Sequence, residues 1–176
     1  MKTHVVFVRG VNVGGRTLKM ADLRACLKKL GCHNVRTVLQ SGNAILESAE
    51  SPAALKATIE TGLSKAFGFA ARVQVVGVDA LREITRAYPF PADEGRHSYI
   101  VFFEDGLERA LLEEADGLDP AVESIAGGAG VIYWQVPTGM TLKSPFAKYL
   151  TLARYKGSHT NRNLRTLRKV IEAAAG

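Results

Sequence analysis

The sequence predicts an α+β fold composed of two ferredoxin-like (α/β plait) subdomains, the second completed by a C-terminal helix. Two observations support this fold class. Strand-like and helix-like segments of the first half follow the order β-α-β-β-α-β, which is the order of a split βαβ plait. The second half repeats β-α-β-β-α and then ends in an amphipathic helical segment.

The elements of the first half follow from residue periodicity. Strands are indicated by β-branched and aromatic runs such as THVVFVR. Helices are indicated by apolar residues at helical spacing that stop at Gly31 and Gly68, and Ser51 followed by Pro52 is typical of a helix start. The predicted elements are a strand at 3–9, a helix at 20–30, a hairpin of strands at 34–39 and 43–47, a helix at 52–67 and a strand at 71–78.

The boundary between the halves is marked by prolines. A short helix capped by Asp79 must end at Tyr88-Pro89-Phe90-Pro91, because proline disfavours helical geometry before it and within it. We predict a first subdomain at 1–87, a linker at 88–96 and a second subdomain at 97–176. The predicted elements of the second are a strand at 97–103, a helix at 107–115, strands at 121–126 and 131–136, helical material from Ser144, and a terminal helix at 162–174 in place of a fourth strand.

Two predicted strands are apolar at successive positions. Residues 5–8 and 100–103 do not alternate between apolar and polar, which indicates strands that are covered on both faces. Helices cover one face of a plait. We therefore expect the other face to meet the sheet of the other half or a second copy of the chain, as in a homodimer.

Length and composition are those of a globular protein. The chain has 176 residues, of which 47% are hydrophobic and 23% charged, and a chain of this size can bury about 70% of its unfolded surface. No apolar run reaches the roughly 20 residues that cross a bilayer, and the run before Arg9 is too short for a signal peptide. We expect a cytoplasmic protein without a membrane partner, with Cys26 and Cys32 reduced. The histidines and cysteines lack zinc spacing, so neither a metal nor a cofactor is expected.

Charge is distributed unevenly along the chain. Residues 1–46 carry eight bases and one acid (+7), residues 47–123 seven bases and fifteen acids (−8), and residues 124–176 eight bases and one acid (+7). The acidic middle could neutralise the basic ends within the fold. Alternatively, the two basic ends converge into a patch that attracts anions.

A glycine-rich segment, GVNVGGRT, lies between the first strand and the first helix at residues 10–17. It differs from a phosphate-binding P-loop by having Arg16 in place of the lysine, and the predicted hairpin argues against the parallel sheet that such nucleotidases need. Two interpretations remain. The segment is a turn that needs glycine at positive φ, or its amides form an anion site together with Arg9, Arg16 and Lys19.

Two further segments carry polar residues at element ends. Ser41-Gly42-Asn43 is typical of a turn, and Ser41 would need a base to act as a nucleophile, which the spacing does not identify. Thr160-Asn161-Arg162-Asn163 offers a cap at the start of the terminal helix, within a stretch that has no acid between Ser124 and Ile171. A helix start of this kind suits an anion, although a solvated basic helix face is the simpler interpretation.

Three segments, at residues 9–15, 41–43 and 160–166, together resemble the bacterial domain-of-unknown-function family 1697 (DUF1697), and the resemblance spans nearly the whole chain. The resemblance implies two ferredoxin-like plait subdomains and no established activity, substrate or cofactor. The matching residues are Arg9, Gly10, Asn12, Gly14 and Gly15, then Ser41, Gly42 and Asn43, then Thr160, Arg162 and Asn163.

The sequence favours a non-catalytic protein that binds a phosphate-bearing small molecule or nucleic acid at a basic site. The alternatives are an enzyme acting on a small phosphorylated or carboxylated metabolite, for which no catalytic residue can be named, and a protein-protein assembly module. We expect the loop after the first strand and the hairpin at Ser41 to lie at opposite ends of the sheet, and the last helix to meet the loop. The candidate binding residues are Arg9, Asn12, Gly14, Gly15, Lys19, Ser41, Gly42, Asn43, Thr160, Arg162 and Asn163.

Overall fold

The computed structural model describes residues 1–11 and 15–176 and contains two compact units. Unit 1 comprises Met1–Arg82 and Lys169–Gly176, and unit 2 comprises Glu83–Arg168. Each unit contains one four-stranded sheet whose neighbouring strands are antiparallel. The predicted class, an α+β fold of two ferredoxin-like plaits, is confirmed.

Unit 1 has the strand order β2-β3-β1-β4. Strand β1 lies between β3 and β4 and is antiparallel to both. Its elements are β1 (Lys2–Val8), α1 (Met20–Lys29), β2 (His33–Val38), β3 (Asn43–Ser48), α2 (Pro52–Phe67) and β4 (Val73–Gly77), followed directly by α3 (Val78–Arg86).

Unit 2 has the corresponding order β6-β7-β5-β8. Its elements are β5 (Arg96–Phe103), α4 (Leu107–Glu114), β6 (Ser124–Gly128), β7 (Val131–Pro137), α5 (Pro145–Leu150) and β8 (His159–Asn163), followed by α6 (Leu164–Ala175). The division between the units falls within α3 and within α6. In the part of the chain that the structure describes, no helix is long and apolar enough to span a membrane.

The prediction that the terminal helix replaces the fourth strand of the second plait is wrong. Residues His159–Asn163 form β8, which pairs with β5 through registers such as Phe102↔Thr160 and Ile100↔Arg162. The sequence HTNRN contains no apolar residue, so hydrophobic periodicity could not reveal a strand that is held by its backbone hydrogen bonds. The terminal helix, α6, starts at Leu164 and follows the fourth strand of the plait instead of replacing it.

Each sheet buries one face under its helices. In unit 1, apolar residues of β1 such as Val6 and Val8 share a core with Leu23 of α1 and Leu55 of α2. In unit 2, Trp134 of β7 shares a core with Phe146 of α5, and the two rings are 5.2 Å apart in an edge contact. The apolar sides of α1 and α2, which helical spacing predicts, therefore face the core of unit 1.

Both faces of β1 are buried. Val6 and Val8 belong to the helix-covered core, whereas Val5 and Phe7 point to the other face and are 0% exposed. The prediction drawn from successive apolar residues is therefore confirmed for this strand.

In unit 2, part of the second sheet face is covered by the chain that precedes β5. The hydroxyl of Tyr133 donates a 2.9 Å hydrogen bond to the carbonyl of Ile84, and Gln135 Nε2 donates a 2.7 Å bond to the carbonyl of Pro91. The ring of Tyr88 meets the ring of Tyr133 edge-on at 5.7 Å. Much of the segment that the sequence predicts as a linker thus packs against β7.

The helix ends follow local rules. Ser51 Oγ accepts a 3.3 Å hydrogen bond from the amide of Ala54 at the start of α2, and Gly68 ends the helix at a φ of 70°. Ser144 Oγ caps α5 in the same way. These starts and stops confirm the sequence prediction.

Candidate functional site

Three segments meet at one end of the unit 1 sheet, which we call the β1 end. They are the chain that leaves β1, the β2–β3 turn and the chain that enters β4. The amide of Val8 donates a 2.8 Å hydrogen bond to the carbonyl of Gly42, and the amide of Arg9 donates a 2.9 Å bond to the carbonyl of Arg72. The backbone thus fixes these segments beside one another.

The expectation that the loop and the hairpin lie at opposite ends of the sheet is wrong. Strand β3 is antiparallel to β1, with Phe7 opposite Asn43. The start of β3 therefore lies beside the end of β1, and the turn that leads into β3 lies there too. Arg9 and the Ser41-Gly42-Asn43 motif are consequently neighbours within unit 1.

The close contact between the β2–β3 turn and the chain that leaves β1 depends on Gly42. Its φ is 75°, a conformation that favours glycine. A Cβ atom at this position would lie 2.7 Å from Val11 Cγ2 and 3.0 Å from the carbonyl oxygen of Val8. The glycine of this motif therefore has a structural role, since any side chain would push the turn away from the loop.

The buried side chain of Asn43 stabilises the β2–β3 turn through hydrogen bonds. It is 0% exposed, and its Nδ2 donates hydrogen bonds of 3.1 Å to the carbonyl of Val38 and 2.7 Å to Ser41 Oγ. The residue Ser41 is exposed. Ser41 Oγ accepts this hydrogen bond from the side-chain amide of Asn43. The hydroxyl proton of Ser41 is therefore still available to donate a hydrogen bond of its own.

Cationic side chains surround this end. Arg16 is exposed and its guanidinium lies 4.5 Å from the centre of the Phe69 ring. Arg72 is exposed and reaches Glu60 at 3.6 Å. Arg9 is half-buried at the start of the same loop. Three guanidinium groups therefore belong to the strand ends and the loop that form the β1 end.

The first helix begins at this end of the sheet. Lys19 is exposed and stands at the N-cap of α1, where its carbonyl accepts 3.0 Å hydrogen bonds from the amides of Asp22 and Leu23. Its side chain does not cap the helix. The positive end of the helix dipole and the ammonium group of Lys19 both favour an anion here.

The predicted binding residues divide into three groups. Arg9, Gly15, Lys19 and the Ser41-Gly42-Asn43 motif belong to the β1 end, where Gly15 is exposed at a φ of 80°. Asn12 and Gly14 lie outside the described residues. The third group belongs to unit 2 and is described next.

Thr160, Arg162 and Asn163 lie on and after β8 in unit 2. Thr160 is buried, with 6% of its surface exposed. Asn163 Oδ1 accepts a 2.9 Å hydrogen bond from the amide of Arg165, so the predicted amide cap of the last helix exists and Asn163 provides it. A common site with the Arg9 loop stays a prediction.

Phe69 and Arg72 also belong to the β1 end, although neither was a candidate from the sequence. They precede β4, which lies next to β1 and runs antiparallel to it, with Val8 opposite Val73. The start of β4 is thus beside the end of β1. The β-α-β-β-α-β order already implied this neighbourhood, so the plait topology was the signal that could have found both residues.

Potential metal ligands do not cluster in the described residues 1–11 and 15–176, where no group of three His, Cys, Asp or Glu side chains could hold an ion. Cys26 and Cys32 are free and buried, and burial raises the pKa of both thiols. Neither cysteine belongs to the β1 end.

The fold of this chain is shared by a solved structure, the conserved bacterial protein SP0830 from Streptococcus pneumoniae. The two are 24% identical and align with a TM-score of 0.84 over 100% of this chain and 99% of that chain. An unknown protein from Galdieria sulphuraria is 12% identical over 99% of this chain and 89% of its own, but its TM-score of 0.28 is too low to indicate a common fold. No curated protein matches this chain.

A family model described as "Protein of unknown function (DUF1697)" matches residues 1–133. The matched residues include the three segments that meet at the β1 end and, in the sequence, the glycine-rich segment at 10–17. Since the match covers well over half of the sequence, the chain belongs to the DUF1697 family.

Proposed function

We propose that this protein binds a phosphate-bearing ligand at the β1 end of unit 1. The observation that carries the proposal is the concentration of Arg9, Arg16, Lys19 and Arg72 around one loop and one turn. Guanidinium and ammonium groups form strong charge-assisted hydrogen bonds with phosphate oxygens. The exposed hydroxyl of Ser41 adds a neutral donor.

The hydrogen-bond partner of Ser41 favours a binding role for this serine over a catalytic one. A serine nucleophile needs a neighbouring base that removes its proton. The hydroxyl oxygen of Ser41 instead accepts a hydrogen bond from Asn43, and a carboxamide cannot take up a proton at neutral pH. The arrangement therefore suits a group that donates a hydrogen bond to a ligand.

Calorimetric titration with inorganic pyrophosphate tests the proposal. Because a hydrogen bond to a charged group contributes about 1.5–3 kcal/mol, Arg16→Ala and Lys19→Ala should each weaken binding about tenfold or more. Lys29→Ala is the matched control, since Lys29 is exposed at the opposite end of α1, and it should change the affinity less than twofold. Equal affinities of Arg16→Ala and the unmodified chain would contradict the proposal.

The binding residues predicted in unit 2 are tested by the same titration. Arg162→Ala should weaken pyrophosphate binding if the basic segment around β8 contributes to it. An unchanged affinity would restrict the site to the β1 end.

A further inference from the structure

We propose that the ligand of unit 1 is a single-stranded nucleic acid whose sugar-phosphate backbone continues from the β1 end along the side formed by α1 and β2. This inference rests on the proposed function and names the class of its ligand. The surface that carries it, which we call the basic strip, consists of Arg24, Lys28, Arg36 and Thr37.

The basic strip spans two elements at the edge of the sheet, where Arg36 and Thr37 point to opposite faces of β2 but lie beside the same edge. Arg24 Nη1 donates a 2.6 Å hydrogen bond to Thr37 Oγ1 and so joins α1 to β2. Lys28 follows Arg24 by four residues and lies on the same side of the helix. Lys28 and Arg36 line one open cleft of about 540 Å³, together with Asn34, Val35, Glu47 and Gly176.

The strip leads to the β1 end. Strand β2 is at the edge of its sheet, and it runs from the cleft at Asn34 to Val38, after which the chain enters the turn that contains Ser41. Helix α1 runs beside it in the opposite direction and begins just after Lys19, its N-cap residue. Its 10 residues span about 15 Å at 1.5 Å per residue. This length suits a chain of several phosphates, whereas a single phosphate would occupy only one end.

The charges along this side complement a polyanion. Lys28 and Arg36 are exposed and Arg24 is half-buried. Among the side chains that line the cleft, the acid is Glu47, and its Oε2 accepts a 3.0 Å hydrogen bond from Asn34 Nδ2. The carboxylate is thus directed toward an amide of the protein. Neutralisation of backbone phosphates by such cations is the main source of affinity for nucleic acids.

The Arg16–Phe69 pair distinguishes a nucleic acid from an acidic peptide. The guanidinium carbon of Arg16 lies over the Phe69 ring, 4.5 Å from its centre, and Arg16 is an exposed residue. Unstacked bases pack on guanidinium planes and on aromatic rings, and a polyglutamate chain has no flat ring to offer. We therefore assign a base to this pair and the backbone phosphates to the basic strip.

Fluorescence anisotropy with a labelled single-stranded decanucleotide tests the inference, with pyrophosphate titrated in parallel. The double variant Lys28→Ala/Arg36→Ala should weaken oligonucleotide binding at least about tenfold and reduce the slope of log affinity against log salt by about 1.4, or 0.7 for each lost phosphate contact. Its pyrophosphate affinity should be unchanged. The matched control Lys2→Ala/Lys29→Ala removes two exposed cations of the same unit and should change either affinity less than twofold.

Failure of this inference differs from failure of the proposed function. If the strip variant binds the oligonucleotide as the control variant does, or if polyglutamate of equal charge competes as well as unlabelled oligonucleotide, the inference is wrong while pyrophosphate binding still depends on Arg16. If Arg16→Ala binds pyrophosphate normally, the proposed function is wrong and this inference falls with it. Thermal melting of each variant shows that it is folded.

Discussion

The indole Nε1 of Trp134 donates a 2.8 Å hydrogen bond to Oε2 of Glu123, and both residues are buried in unit 2, with 1% and 2% of their surfaces exposed. The other carboxylate oxygen, Oε1, accepts a 2.7 Å bond from the amide of Phe146 in the first turn of α5. A buried charge needs hydrogen bonds that replace water, and here an indole and a helix N-terminus supply them. Glu123 thereby connects β7 to α5.

We expect Glu123→Gln to destabilise the protein by about 2–3 kcal/mol. Its amide nitrogen would face a donor, either the indole or the amide of Phe146, and a lost hydrogen bond to a charged group costs about this much. Urea denaturation followed by the fluorescence of Trp134, which is the single tryptophan of the chain, measures the change.

Glu113→Gln is the control for that change. Glu113 lies on α4 of the same unit and is exposed, so the substitution should alter stability by no more than about 0.5 kcal/mol. Equal effects of the two substitutions would show that the buried carboxylate does not stabilise unit 2.

Gly42→Ala tests the close contact at the β1 end. A Cβ would strain the backbone at a φ of 75° and would lie 2.7 Å from Val11, so we expect a loss of about 2–4 kcal/mol from strain and overpacking together. Gly31→Ala has the same backbone strain, with a φ of 86°, but nothing within 4 Å of its Cβ. It should cost only about 1–2 kcal/mol. Equal losses in denaturant titrations would rule out the close packing of turn and loop.

The two sheets differ in how well their strands could be predicted. Runs of apolar and β-branched residues mark the strands of unit 1, and capping residues such as Ser51 and Ser144 stand at helix starts. Strand β8 gave no such signal, because its residues are polar and its place depends on pairing with β5. Hydrophobic patterns identify elements that contribute to a core, but they do not identify an edge strand that consists of polar residues.

The sequence names candidate residues at the β1 end, and their binding role stays a prediction, but it does not show that they lie together. Arg9 and Lys19 became candidates through the anion-site interpretation of the glycine-rich segment, and the Ser41 motif through the family resemblance. Their proximity follows from strand directions, because β1 and β2 are both antiparallel to β3 and therefore end on the same side. That step needs pairing information in addition to local pattern.

The acid sensitivity of folding should depend on His4. This imidazole is 2% exposed, and within the described residues neither ring nitrogen has a hydrogen-bond partner. Burial, with a smaller contribution from Lys2, lowers the pKa of His4 from its ordinary value of 6.5. As the pH falls, the unfolded chain therefore takes up the proton before the folded chain does. The stability that depends on a neutral His4 is fully present above pH 6.5 and is lost as the pH falls below 6.5.

His4→Leu should reduce the slope of unfolding free energy against pH below about pH 6.5. One proton contributes at most about 1.4 kcal/mol per pH unit. Urea titrations at several pH values provide the measurement. The control His33→Leu replaces an exposed histidine of β2 and should leave the slope as it is, whereas an unchanged slope in His4→Leu would show that His4 is not the group responsible.

The hydrogen bond between Asn43 and Ser41 should contribute to stability independently of any ligand. Ser41→Ala removes the acceptor at 2.7 Å, while Asn43→Ala also removes the donor to Val38. A double-mutant cycle should therefore give a coupling of about 1 kcal/mol between the two side chains. Asn43→Asp should be the most destabilising of these single variants, because its buried carboxylate would face the carbonyl oxygen of Val38.

The same variants separate the two roles of Ser41. If the Ser41 hydroxyl donates a hydrogen bond to a bound phosphate, Ser41→Ala weakens pyrophosphate binding more than partial unfolding of the variant explains. Stabilising the variant with a compatible osmolyte then does not restore the affinity. If the hydroxyl serves the turn alone, the coupling to Asn43 is present and the affinity is unchanged. A coupling near zero would contradict the hydrogen bond itself, since the energy of a formed contact between two side chains must appear in the cycle.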